Sequence, residues 1–209
     1  MPAGHQKKGI FCGREVRILK FGTRRTGNKE DSPCDEEPFS DRPPNPLSMT
    51  IETYTGITGI LRPFREFIQG LHLQPGDQVV YYGCTGTCTP FVELLAMAVR
   101  GMHYEQVFVP YLDETKAREL HEVADTGMQV SSNAVSVHPK VMVIMGGLAM
   151  PYMPVAKEQV RDLAAVHREV TIAGVCFQDM FEKAGWLDTV HFDLLISAII
   201  DPVKVTKRT

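Results

Sequence analysis

Three cysteines and a glycine-containing loop are the residues best placed to do chemistry in this 209-residue chain. Cys84 and Cys88 lie in the loop from Gly83 to Thr89, and Cys176 follows an apolar run later in the chain. Three thiolates could hold a metal or an iron–sulfur cluster as cofactor. Two of them could instead form a redox pair, or supply a nucleophile activated by a helix N-terminus. Free cysteines also pack as small apolar side chains, and we favour that interpretation for Cys176.

The loop from Gly83 to Thr89 also has features of an anion-binding turn. Gly83 and Gly86 allow the backbone to turn tightly, and the helix predicted from Pro90 offers free amide groups and a positive dipole end. Hydroxyl groups come from Thr85, Thr87 and Thr89. The loop matches neither the dinucleotide-binding nor the triphosphate-binding glycine pattern. The pattern therefore predicts a small anionic ligand, and the alternative is a plain strand-to-helix connection capped by Thr89.

A second loop, residues 146–154, is unusually apolar. Gly146 and Gly147 open it, and Tyr152 and Met153 follow. This loop could wall a ligand pocket, dock on a partner or on a second copy of the chain, or simply be covered within the fold. We include Gly146 and Gly147 among the candidate ligand-binding residues.

The elements that must position these loops alternate along the chain. Apolar runs predict strands at 79–82, 106–109, 128–130, 141–145, 170–177 and 194–200, and helical spacing predicts helices at 57–71, 90–100, 113–124, 155–167 and 179–184. This alternation indicates an α/β fold, a three-layer Rossmann-like sandwich with a mostly parallel sheet. Ligands in such folds bind beyond the carboxyl ends of the strands. That rule selects the loops after residues 82, 109, 145 and 176.

The histidines argue against several reactions. None of those from His72 onward is predicted to follow a strand, so neither a Cys–His nor a Ser–His–Asp arrangement is supported. Asp113 and Asp179 do lie at the favoured edge, but residues in the first turn of a helix are more often caps than acids or bases. No catalytic residue, and no enzymatic activity, is predicted from these positions.

Composition limits the partners and the compartment. The net charge of -3 argues against binding to nucleic acid, because that binding needs a basic surface. No apolar run reaches the roughly 18 residues that a membrane helix needs. Five cysteines, an odd number, favour a reducing cytoplasmic compartment over a disulfide framework.

Residues 1–48 are rich in glycine, proline and charge. Only residues 16–21 are typical of a short strand. We expect the segment to be a disordered tail, or an extension that precedes a true start at Met49. Residues 49–209 are predicted to form a single α/β domain.

Several motifs, taken in the order in which they occur along the chain, resemble those of an uncharacterised family of methanogenic archaea, domain of unknown function 2124. The resemblance spans roughly Thr50 to Val205 and rests on residues 59–66, 83–91, 93–95, 145–151, 174–177 and 181–186. It implies an archaeal, cytoplasmic protein, and hence a ligand from methanogen metabolism. It implies no activity, substrate or catalytic residue.

Overall fold

The computed structural model describes residues 16–20, 50–200 and 205–207. Its strands are β1 Val16–Lys20, β2 Thr50–Tyr54, β3 Gln78–Gly83, β4 Glu105–Pro110, β5 Arg118–Val123, β6 Gly127–Ala134, β7 Pro139–Met145, β8 Thr171–Phe177 and β9 Leu194–Ala198. Its α-helices are α1 Thr58–Gly70, α2 Thr89–Val99, α3 Lys157–Val166 and α4 Met180–Lys183. Short 3-10 segments cover Arg100–Met102, Glu114–Lys116 and Gly146–Ala149. In this part of the chain, no helix is both long enough and apolar enough to cross a membrane.

The strands form one sheet in the order β2-β1-β9-β8-β7-β3-β4-β5-β6. The five central strands, from β9 to β4, run parallel to one another. An antiparallel pair flanks them on each side. The chain moves from β3 outward to β4, and later returns to the other side of β3 with β7. The direction in which the chain adds strands therefore reverses between β3 and β7. Proteins with α/β folds bind ligands beside such a switch point.

The central strands form because their residues are apolar on both faces. Every residue of β3 is buried, as is every residue of β9 and all of β7 except Lys140. Parallel strands of this kind require cover on both sides of the sheet. The right-handed rule for parallel crossovers places α2 and α3 on opposite faces, because they connect strands in opposite directions along the sheet. The predicted α/β fold with a parallel central sheet is confirmed.

Helix α1 packs beside α2 on one face of the sheet. Its apolar stripe buries Phe64 and Ile68 completely, and the ring centroid of Phe64 lies 6.3 Å from that of Tyr81 on β3. Pro63 lies inside the helix and is buried. The helical spacing thus predicted the buried face correctly.

The prediction of a helix at 113–124 is wrong. Asp113 does act as a cap, since its carboxylate accepts a hydrogen bond from the backbone N–H of Thr115, but the turn ends at Lys116. The chain then becomes β5, which pairs antiparallel with β4 and β6. Leu120 is buried by this pairing. Cross-strand pairing outweighs the local helical spacing of the apolar residues, because β-structure depends on neighbours distant in sequence.

Strand β1 lies before the predicted domain boundary at residue 49, yet it belongs to the same sheet. It pairs antiparallel with β9 on one side and with β2 on the other. The short strand expected at 16–21 is therefore present, and β1 covers an edge of the parallel core that would otherwise be open. The predictions made for the rest of residues 1–48 lie outside the described residues.

We predict that Phe64→Ala lowers the free energy of unfolding by about 3–5 kcal/mol, because it leaves a cavity between α1 and the sheet. Phe67→Ala, on the same helix at a half-buried position, is the matched control and should cost clearly less. Urea denaturation of both variants measures the difference. Equal losses would contradict the packing described for α1.

Candidate functional site

Four loops meet at the carboxyl edge of the parallel strands, as the sequence predicted. The backbone N–H of Tyr111, after β4, donates to the carbonyl oxygen of Gly83 at 2.8 Å. A Cβ on Gly83 would lie 2.8 Å from the Cβ of Cys88 and 3.2 Å from the Cγ of Met145, at the end of β7. The ring of Phe91 on α2 lies 4.5 Å from that of Phe177 at the end of β8, measured between centroids.

The glycine pair after β7 passes between the three cysteines. A Cβ on Gly146 would collide with the Cβ of Cys176 and lie 2.8 Å from its Cα. A Cβ on Gly147 would collide with Cys88 Sγ and lie 2.8 Å from Cys84 Sγ. Both glycines are needed because the neighbouring cysteines already fill the space that a side chain would occupy. Their predicted role in binding a ligand remains a prediction.

Cys84 and Cys88 face one another in the first loop. Their sulfur atoms are 3.0 Å apart, and the side chains are 1% and 3% exposed. Burial, together with the hydrogen bond to Cys84, raises the pKa of Cys88 to about 12, although the amides of Cys84 and Gly147 point at its sulfur and act in the opposite direction. Cys88 is therefore a desolvated thiol that stays protonated at neutral pH.

Cys176 does not join this pair. Its thiol contacts the backbone of Met180 and Phe181 and the hydroxyl of Ser197, and burial raises its pKa. Ser197 in turn donates to the carboxylate of Asp179 at 2.7 Å. Within residues 16–20, 50–200 and 205–207, no three His, Cys, Asp or Glu side chains are grouped so as to hold a metal. The proposed set of Cys84, Cys88 and Cys176 is thus not assembled as a ligand set in this structure.

The exposed part of the first loop is Thr85-Gly86-Thr87. Gly86 adopts a φ of +80°, with nothing within 4 Å of a Cβ built on it. Helix α2 begins at Thr89, so Cys88 and not Thr89 lies at the N-cap, and no side chain caps the helix. Pro90 lies in the first turn as expected, and that turn contains no acidic residue. The positive end of the helix dipole therefore faces an open loop without a compensating carboxylate in its first turn.

Two apolar cavities at this edge, together called the cleft, are both lined by the rings of Phe91 and Phe177, the cleft rings, whose planes are tilted by 51°. On one side of the cleft rings is a cavity of about 210 Å³ lined by Gly56, Ile57, Ile60, Ala198, Ile199 and Ile200. On the other side is a cavity of about 50 Å³, lined by Thr87, Cys88, Met145, Gly146, Gly147, Met150, Val175 and Met180. Thr87 of the exposed loop therefore lines the smaller cavity, and the cleft rings line both this cavity and an apolar space large enough for a small organic group.

The sequence patterns do not single out the cleft rings. Phe91 falls within the helix predicted at 90–100, and Phe177 ends the strand predicted at 170–177. The rule that selected the loops also applies to these two residues, since each lies at the carboxyl edge. Applying it to aromatic side chains as well as to polar ones would have found them.

A hydrogen-bonded cluster lies elsewhere in the structure. The hydroxyl of Tyr82 donates to Glu114 Oε1 at 2.7 Å, and His167 Nε2 lies 2.7 Å from the same oxygen. Burial, and then the hydrogen bond to Glu114, raises the pKa of Tyr82. Successive side chains of a strand point to opposite faces, and Tyr81 faces α1, so this cluster lies on the other face. It ties β3 to the end of α3 and lines none of the cavities at the cleft.

The predicted docking loop is mostly internal. Gly146, Gly147, Leu148 and Ala149 are all buried, whereas Pro151 is exposed and Tyr152 is 73% exposed. The first half of the loop therefore builds the site. Docking of its second half on a partner remains a prediction.

The fold and this edge define an α/β protein with a parallel central sheet and an apolar cleft at its switch point. Residues 55–201 match the family model described as "Uncharacterized protein conserved in archaea (DUF2124)". The chain belongs to this family, as the motifs in the sequence indicated.

Relatives of the chain come from methanogens. An uncharacterized protein of Methanothermobacter thermautotrophicus is 34% identical over 153 residues, which cover 72% of this chain and 94% of the relative. An uncharacterized protein of Methanocaldococcus jannaschii is 32% identical over 145 residues, which cover 69% of this chain and 86% of the relative. A crystal structure of a protein of unknown function from M. thermautotrophicus superposes with a TM-score of 0.66 at 31% identity, covering 76% of this chain and 97% of that one.

We predict that Gly147→Ala destabilises the protein by about 1–3 kcal/mol, because the new methyl group overlaps the sulfur of Cys88. Gly70→Ala, at the end of α1 with open space around it, is the control and should be neutral or slightly stabilising. In the double variant with Cys88→Ala, the loss should be smaller than the sum of the two single losses. Additive losses in urea denaturation would contradict the contact.

We also predict a pH dependence that arises from Cys88. Its pKa is 9.0 in a model peptide and about 12 in the folded chain, so the folded state keeps the proton longer. Stability must therefore fall as the pH rises above about 9. Between pH 8 and pH 10, the native protein should lose about 1 kcal/mol more than Cys88→Ala does. The tyrosines are the same in both proteins, so their contribution cancels; equal losses would show that the Cys88 thiol is not desolvated.

Proposed function

We propose that this protein binds a small amphiphilic anion at the carboxyl edge of its sheet. The anionic group lies at the Thr85-Gly86-Thr87 loop, and the apolar part lies in the cleft against Phe91 and Phe177. The observation that carries the proposal is that Phe91 and Phe177 line both an apolar cavity of about 210 Å³ and the smaller cavity that Thr87 of the open loop lines.

The loop supports the anionic half of the proposal. Thr85 and Thr87 are exposed, and Gly86 keeps the surface above the backbone clear. The N-terminus of α2 is directly behind them, and its first turn holds neither a side-chain cap nor an acidic residue. Pro90 has no N–H, and the N–H groups of Phe91 and Val92 already donate to the carbonyl oxygen of Cys88. The helix dipole and the loop hydroxyls, rather than free helix amides, therefore favour a phosphate or a carboxylate at this position.

The cavities support the apolar half. Of the residues lining the larger one, none carries a charge, and Ile57 and Ile200 are 50% and 47% exposed at its rim. Exposed isoleucines gain free energy when a ligand removes them from water. The volume is below the range usual for drug-sized ligands, so a single ring or a short branched chain fits best.

The family membership supports a role in methanogens. Since the relatives are uncharacterized proteins of two methanogenic archaea, we infer a ligand drawn from the metabolism of such organisms. We also infer a cytoplasmic location, from the three buried free cysteines and the odd cysteine count.

The test is a thermal-shift series with probes that separate the two halves of the ligand. Inorganic phosphate, benzoate, phenyl phosphate and benzyl alcohol differ in charge and in apolar surface. A ligand that binds only the native state raises the melting temperature. We expect phenyl phosphate and benzoate to stabilise the protein more than phosphate or benzyl alcohol. No stabilisation by any charged probe would contradict the proposal.

Variants assign each half of the ligand to its residues. Ile57→Asp should abolish stabilisation by the aromatic anions, because it places a charge in the apolar cavity. Ile51→Asp is the matched control, since Ile51 is 61% exposed on β2 and lines none of the cavities of the cleft. Thr87→Val should weaken binding of the anions, while Thr53→Val on β2 should leave it unchanged. Equal effects of site and control variants would place the ligand elsewhere.

A further inference from the structure

Cys84 and Cys88 have the geometry of a pair that can become a disulfide. The backbone N–H of Cys88 donates to the carbonyl oxygen of Cys84 at 3.2 Å, so the two residues span one α-turn. The sulfur atoms are already 3.0 Å apart, and a bond requires an approach of about 1 Å more.

The two thiols differ in access. Cys88 lines the smaller cavity of the cleft, whereas Cys84 does not line it and is 1% exposed. A small molecule in that cavity therefore meets Cys88 before Cys84. The amides of Cys84 and Gly147 point at that sulfur, and Cys88 is the N-cap of α2. Both features stabilise negative charge on the sulfur during exchange.

We propose that Cys84 and Cys88 are a dithiol–disulfide redox site, with Cys88 as the attacking thiol, Cys84 as the resolving thiol and a small disulfide as the oxidant. This goes beyond ligand binding at the cleft and does not depend on it. The site is confined to these two cysteines, because Cys176 lies beyond Gly146 and has its own partners in Ser197 and the backbone of α4.

The reaction balances as two successive thiol–disulfide exchanges. The Cys88 thiolate attacks one sulfur of the small disulfide, whose S–S bond breaks and releases one thiolate. The Cys84 thiolate then attacks Cys88 Sγ, forms the Cys84–Cys88 bond and releases the second thiolate. Two electrons pass from the protein to the small disulfide, and the two protons of the cysteines end on the two released thiols.

The desolvation of Cys88 keeps little thiolate present at neutral pH, so the exchange is slow and the equilibrium position is the appropriate readout. The full-length native protein is equilibrated anaerobically in mixtures of 2-hydroxyethyl disulfide and 2-mercaptoethanol, quenched with acid, alkylated and mapped by peptide mass spectrometry. Peptides that carry Cys12 and Cys34 are read separately.

We expect a Cys84–Cys88 disulfide whose amount follows a two-electron dependence on the thiol and disulfide concentrations. Cys176→Ala is the matched control, and its midpoint should lie within about twofold of that of the native protein. Cys84→Ala should stop at a mercaptoethanol adduct on Cys88, because no resolving thiol remains. Cys88→Ala should leave Cys84 unmodified, since Cys84 does not line the cleft.

Three results would overturn the proposal. The first is that Cys84 and Cys88 stay reduced in the native protein at every ratio while the urea-unfolded chain forms the bond. The second is a disulfide that links either residue to another cysteine. The third is an adduct on Cys84 in Cys88→Ala as abundant as the adduct on Cys88 in Cys84→Ala. The native-protein measurement decides the first two, so a variant that fails to fold does not remove the test.

Discussion

The architecture of the site depends on the close passage of a backbone between sulfur-bearing side chains. After β7 the chain must cross over to α3, and Gly146 and Gly147 carry it between Cys176 on one side and Cys84 and Cys88 on the other. Side chains on these residues would overlap the cysteines, so the loop closes only with hydrogen at both positions. The close packing also excludes water, and this exclusion raises the pKa of Cys88.

The position of this crossing follows from the topology. β3 and β7 are neighbours in space, but the connections that leave them run in opposite directions along the sheet. Helix α2 therefore departs on one face and the chain leading to α3 on the other, and no connection covers the edge between the two strands. The smaller cavity at this edge is lined by sulfur-bearing and aromatic side chains near the strand ends, and by Thr87 of the exposed Thr85-Gly86-Thr87 loop.

This division of polar and apolar surface gives the edge two kinds of chemistry. The loop is exposed and presents hydroxyl and amide groups, which suits a charged group that remains partly hydrated. The thiols a few residues away are dry, and their sulfur atoms lie 3.0 Å apart. Cys88 belongs to both regions, because it is the N-cap of α2 and also lines the cleft.

The sequence by itself determined the local elements and the edge at which they end. The apolar runs of β3, β7, β8 and β9 and the stripe of α1 are strong periodic patterns, and ligand loops follow strand ends in any parallel sheet. The prediction from sequence was wrong at residues 113–124, because pairing of β5 with β4 and β6 outweighs the helical spacing of the apolar residues. The tertiary structure alone decided which cysteines meet. Adjacent strands are about 4.8 Å apart, and the strand order puts β7 between β3 and β8. Cys176, which is on β8, is therefore two strands from the loop after β3, and Gly146 and Gly147 occupy the space between. Residue spacing along the chain carries no information about strand order, so only the fold could separate Cys176 from the Cys84–Cys88 pair.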